Sequence, residues 1–232
     1  MRSQVRALSP RPGIIFGDAN RLTLTPLDTH DVRLRQACAQ LTRPQLRQRA
    51  QQLEIDALLD YVYGVNRKDL SDFSRHDQKP KTVGLSAPQV GIMKQITIVD
   101  LSIGRRGYHD IHVLLNPRLT WSSQTVVGRI EGCVNFETVW GETRRSRSIR
   151  IAALDRSGNE IEMKLSGWPA TLMQHEIDHL HGHLFIDRLI DPRRAHLVTD
   201  SDFGDYRKAK SNEWEKVIDV SDQVVATKVP AP

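Results

Sequence analysis

The chain has 232 residues, 39% of them apolar, and a formal net charge of +5; its mean hydropathy is -0.44. That length suits one domain with a real core, and no stretch approaches the roughly 18 unbroken apolar residues that a membrane span needs. Two cysteines, Cys38 and Cys133, are too few for the disulfide framework of a secreted scaffold, and a basic balance alone does not define a nucleic-acid partner.

Residues 1–28 carry little periodicity, and 1–21 read as an extended N-terminal arm. Its short apolar run at 14–16 is no secretory h-region, so a cytoplasmic location is expected. Cys38, between Leu34 and Leu41, reads as a small buried hydrophobe. Leu46, Ala50, Leu53, Ala57 and Tyr61 recur at helical spacing after Thr42 and Pro44, which predicts a core helix. The polar, aperiodic stretch 64–81 reads as an insertion loop. The runs 95–101 (QITIVDL) and 112–117 (HVLLNP) are branched and closed by breakers, as strands are. Residues 150–155 and 161–165 flank a turn at Arg156, Ser157, Gly158 and Asn159, which predicts a hairpin. Ser166 as cap, Pro169 in the first turn and Gly182 as stop frame a helix through Ala170, Leu172, Met173, Ile177 and Leu180. Residues 191–232 read as a C-terminal extension without a clear core face from Val217 onward, its end disordered.

That last helix carries His-Glu-Ile-Asp-His. His175 and His179, four residues apart, project to one face about 6 Å apart along the axis, so both imidazoles can reach one cation. Glu176 stands where a carboxylate can take a proton from an activated water. A catalytic metal takes a third protein ligand. His183 would extend the row to about 12 Å, too far for one ion unless the helix breaks. The metzincin pattern would need histidine where Phe185 stands, and no glutamate follows Glu176 until Glu213. Cys133, behind Gly132, supplies the missing donor as a thiolate.

Three motifs in order, Val83-Gly84-Leu85-Ser86-Ala87-Pro88-Gln89, Glu131-Gly132-Cys133 and Gln174-His175-Glu176-Ile177-Asp178-His179, make the chain resemble the peptide deformylase family over about residues 22–190. The resemblance implies a single α+β domain with strands surrounding the central motif helix, insertion loop 64–81 and the extension beyond 190. It implies hydrolysis of the N-formyl group from N-formylmethionyl peptides, with N-formylated nascent peptides as partners. One divalent metal on Cys133, His175 and His179 is implied, iron(II) first, with zinc, nickel or cobalt as alternatives. The implied catalytic groups are Glu176, the Gln89 amide and the Val134 backbone N–H; Gly84, Val83, Thr171 and Leu172 would line the substrate pocket, and Arg145 would be structural. The family usually has glycine where Thr82 stands, alanine at Ser86, leucine and serine at Val134 and Asn135, and different residues at Phe136, Glu137 and Trp140.

Three competing readings remain at this stage. The chain could be a paralogue for another N-formyl or N-acyl amide, a metal endopeptidase, or a catalytically silent ribosome- or RNA-binding module using the arginines and lysines after residue 192. Ribosome contact through the basic surface could coexist with catalysis. No specific DNA binding and no membrane contact are expected, and a monomer is the default.

Overall fold

The computed structural model describes residues 14–16, 22–63, 82–102, 110–206, 208–209 and 213–225. The insertion loop 64–81, most of the arm 1–21 and the tail 226–232 lie outside them. The elements run β1 (Ile14–Phe16), β2 (Leu22–Leu24), α1 (Arg43–Leu46), α2 (Arg49–Tyr63), β3 (Gly84–Ser86), β4 (Ile96–Asp100), β5 (Ile111–Ser122), β6 (Val126–Cys133), β7 (Phe136–Ser146), β8 (Ser148–Leu154), β9 (Glu160–Ser166), α3 (Trp168–Leu180), β10 (Ala195–Leu197), α4 (Phe203–Tyr206) and β11 (Val217–Ile218). Among the described residues β1 pairs with β2, a five-stranded sheet runs β3-β4-β5-β8-β9, and a four-stranded sheet runs β11-β10-β7-β6. The fold is α+β, as expected. No helix among the described residues is long and apolar enough to cross a membrane.

The period-two alternation of a strand explains why α2 and α3 take opposite faces of the larger sheet. Leu85, Ile96, Ile98 and Leu115 enter a core with Ile55, Leu58, Leu59 and Val62 of α2. Val99, Leu114, Ile149 and Ile151 enter another with Ala170, Met173 and Ile177 of α3. Strands covered on both sides read as continuous branched runs, which is why 95–101 was legible. A third cluster, Leu27, Leu34, Phe136, Phe185, Ile186, Ala195 and Val220, joins the smaller sheet to the segment before α1 and to Val220 beyond β11.

Four expectations need correcting. Of the expected core face Leu46 and Ala57 are buried, but the buried face of α2 is built mainly from Ile55, Leu58, Leu59 and Val62, and Ala50 is exposed, because the chain breaks after Leu46 and the helical phase restarts. Thr42 does cap, but it caps the separate short helix α1. Strand β5 does not stop at Pro117: it runs on to Ser122 through a register shift between Leu115 and Arg118, and a bulge is where a strand tolerates proline. The N-cap of α3 is Gly167, not Ser166. The hairpin of β8 and β9 forms as expected, and Cys38 is buried at 7% exposure. The region after Asp191 is less polar in function than in composition. β10 pairs with β7, β11 pairs with β10, and Val220 is 1% exposed, its apolar partners supplied by distant segments.

Gly182 ends the motif helix region at φ +77, and a Cβ there would press on the backbone carbonyl of Arg35. Both the left-handed conformation and the backbone contact exclude a side chain. Gly182→Ala is expected to destabilise the protein by roughly 1–3 kcal/mol in a denaturant titration, and an unchanged midpoint would contradict this packing.

Candidate active site

The site is assembled where α3 crosses between the two sheets. On the strand β6, Glu131 and Cys133 share a face because they are two residues apart. On α3, His175 and His179 share a face because they are four apart. The result is that Cys133 Sγ and one ring nitrogen of each histidine all lie within 4.8 Å of one another. His175 Nε2 and His179 Nε2 are 3.2 Å apart, and Cys133 Sγ is 3.4 Å from His179 Nε2. A tetrahedral ion with bonds of about 2.0 Å to nitrogen and 2.3 Å to sulfur sets its ligands roughly 3.3–3.6 Å apart. The donor set therefore fits one such cation. His183 lies beyond the end of α3 and outside this group.

Glu131 holds the first histidine. Its Oε2 accepts from His175 Nδ1 at 2.8 Å, which turns Nε2 toward the cluster, the usual support for a ligating imidazole. Arg145 grips Glu131 with two hydrogen bonds of 2.8 and 2.9 Å and also donates to Asp178; Thr143 Oγ1 donates to Glu131 as well. Arg188 closes the network on the other side of Asp178, at 2.7 and 3.0 Å. Burial alone would raise the Glu131 carboxyl, but the Arg145 guanidinium holds it well below the usual carboxylate range. Asp178 is lowered to about 2, against its own burial, by Arg145 and Arg188. Both are thus fixed as anions, with Arg145, 4% exposed, bonded to each of them.

Glu176 lies beside the donor cluster and is 2% exposed. Burial pushes its carboxyl up, a change partly offset by His175 and by the Ser86 hydroxyl, which donates to Oε2 at 2.7 Å and stands 2.9 Å from the Glu176 main-chain oxygen. A raised carboxyl pKa suits a group that must take up and release a proton. Gln89 lies within a short 3-10 turn, Ala87–Val90. Its Oε1 accepts from the Ser86 N–H at 2.7 Å, which leaves Nε2 aimed at Cys133 Sγ, 3.2 Å away. The amide therefore presents a donor to the site.

The implied pocket residues divide. A Cβ on Gly84 would overlap the Glu176 carboxylate and Leu172 Cδ1, so Gly84 stands directly against both side chains. Val134 occupies the two-residue turn between Cys133 and Phe136. Val83 packs beside the cluster that contains Leu172. Thr171 is buried, with its hydroxyl donating to the Gly167 carbonyl at 3.3 Å, which gives it a helix-start role. Trp140 lies away from the metal donors: it pairs with Gly132 on the opposite face of the sheet, where its ring covers Gly132 and meets Phe203 and Tyr206.

Sequence reasoning missed Ser86 as the holder of Glu176, Glu131 as the partner of His175, and Asn135. Glu131 carried a readable signal, since a carboxylate two residues before a strand cysteine shares its face. Ser86 and Asn135 carried none, because their partners come from distant segments.

The fold and this constellation define a metal-dependent hydrolase of the amide type, with a Cys-His-His donor set and an adjacent carboxylate. The polypeptide deformylase family model matches residues 27–195. Peptide deformylase of Thermomicrobium roseum is 34% identical over 162 residues, 68% of this chain and 88% of that protein. Peptide deformylase 1B, chloroplastic, of Solanum lycopersicum is 40% identical over 113 residues, 49% of this chain but 40% of the tomato protein's length. Among solved structures, Arabidopsis thaliana peptide deformylase 1B superposes with a TM-score of 0.59 at 29% identity, covering 80% of this chain and 87% of that one. A class I type b peptide deformylase from Acinetobacter baumannii gives 0.60 at 25% identity, covering 72% and 99%. The chain belongs to the polypeptide deformylase family, whose members work with a single divalent metal ion.

Proposed function

We propose that this protein removes the N-formyl group from N-formylmethionyl peptides, releasing formate and a free amino terminus. The observation that carries this reading is the convergence of the Cys133, His175 and His179 donors within 4.8 Å, with the buried Glu176 and the Gln89 amide beside them. Cys133, His175 and His179 would hold the metal. When bound, it lowers the pKa of a water and polarises the formyl oxygen.

Glu176 takes the proton of the attacking water and returns it to the leaving amine, so one carboxyl serves both halves of the reaction. The Gln89 amide and the Val134 main-chain N–H donate to the oxygen that gains charge at the tetrahedral stage, the preorganised stabilisation that acyl transfer needs. Ser86 holds Glu176 in place through both steps. Gly84 lets the substrate backbone approach Glu176, and Leu172, with Val83, gives the methionine side chain an apolar wall. The C–N bond breaks as the C–O bond forms: water supplies the hydroxyl of formic acid, which ionises to formate, and its other proton goes to the amine.

A thiolate with two imidazoles suits several borderline metals; iron(II) is our choice, with zinc, nickel and cobalt as alternatives. We place the protein in the cytoplasm as a monomer acting on nascent chains, with ribosome contact through its basic surface. Trp140 faces Gly132 and the rings of Phe203 and Tyr206, so this departure from the family does not touch Glu176 or the three donors.

The test is formate release from a formyl-Met peptide by anaerobically prepared protein loaded with iron(II), with bound metal quantified. Release at about one metal per chain is expected. A metal-loaded protein that releases none, yet cleaves another formyl amide, would move the assignment to that substrate.

A further inference from the structure

Asn135 stands two residues after Cys133, in the turn that joins β6 to β7, and is 5% exposed. Its Nδ2 donates to the Leu27 carbonyl at 2.9 Å and to the Gln89 carbonyl at 3.0 Å. Two carbonyl oxygens can be met only by N–H donors, so the amide orientation is fixed by its partners, with Oδ1 turned toward Cys133 Sγ at 3.6 Å. The Gln89 carbonyl also accepts from the Leu27 N–H at 2.8 Å, so both of its lone pairs are engaged.

Gln89 is thereby held at both ends. Its main chain is clamped by Asn135 and Leu27, while its side-chain oxygen is held by the Ser86 N–H at 2.7 Å. With both anchors fixed, the direction of Nε2 is fixed too. Asn135 itself is carried by the same turn as Val134, so one short segment sets the relative placement of both oxyanion donors.

We propose that Asn135 is a positioning residue that sets where the Gln89 amide stands relative to the reacting carbonyl. The inference rests on the reading of Gln89 as an oxyanion donor. Loss of the Asn135 amide frees the Gln89 main chain from one of its two donors, and a donor displaced by a few tenths of an ångström stabilises the transition state less while binding the ground state about as well.

The experiment is a double-mutant cycle on formyl-Met peptide hydrolysis with bound metal and thermal midpoint measured in each protein: wild type, Asn135→Ala, Gln89→Ala and the pair. Gln89→Ala is expected to lower kcat by roughly 100-fold. Asn135→Ala is expected to lower kcat by about 10-fold with KM changed less than about twofold and metal content unchanged. The pair should be no worse than Gln89→Ala alone. Asn135→Ser, which keeps one donor, should fall between wild type and Asn135→Ala, and it carries the cycle if the alanine variant does not fold. An Asn135 loss that multiplies equally in both backgrounds, or that comes with lost metal, would overturn the proposal by assigning Asn135 to stability or to Cys133. A metal-loaded wild type without formate release would instead remove the reading beneath it.

Discussion

Glu176→Gln is expected to keep the metal and the fold and to lower kcat by roughly 100- to 10,000-fold, the range that a lost general acid and base produces. Glutamine has nearly the same volume in a position that is 2% exposed, and it can still accept from the Ser86 hydroxyl, which stands 2.7 Å from the carboxylate. What it cannot do is bind and release a proton. Glu176 does not belong to the donor group, so bound metal should match wild type. Steady-state kinetics alongside metal analysis separates the outcomes. Full activity in the variant would remove Glu176 from the mechanism, and loss of metal would make it a ligand.

The second large effect is at Cys133. Cys133→Ala should bring bound metal from about one per chain to less than about a tenth after dialysis, and should abolish hydrolysis with it. Sγ is one of the donors in the cluster, and the two imidazoles left behind do not make the three-ligand set of a catalytic site. Cys38→Ala is the internal control. Burial pushes the Cys38 thiol up to about 11, which keeps it protonated at neutral pH and unfit as a ligand. Metal quantification in both variants decides the matter. Retention of a full equivalent by Cys133→Ala would take the cysteine out of the ligand set and reopen the endopeptidase reading, which needs a different third donor.

Asn135 and Gly182 show another kind of dependence, in which a side chain or its absence matters through a segment far away in sequence. Asn135 meets Leu27, 108 residues earlier, and Gly182 meets the backbone of Arg35. Neither partner could be named from local pattern. The same holds for the strands β6 and β7, which sequence periodicity did not reveal. Among their buried positions are Glu131, Thr143 and Arg145, a charged and polar set that is buried because its members satisfy one another. An alternation rule based on hydrophobicity reads such strands as surface.

What the sequence by itself determined is the chemistry-bearing set whose geometry is local or nearly so. His175 and His179 face one way because a helix repeats every 3.6 residues, and Glu176 follows from its place between them. The β4 strand and the β8–β9 hairpin were likewise legible, through branched runs and a glycine-bearing turn. Tertiary structure decided the rest. It brought Cys133 on β6 to the histidines on α3, joined Ser86 to Glu176 across 90 residues, and gave Val220 its core by supplying distant apolar partners. It also set Trp140 against Gly132, Phe203 and Tyr206. The physical reason is the same throughout: a periodic pattern records which face of one element is inward, whereas a contact between elements depends on how whole faces pack together, and no single segment carries that information.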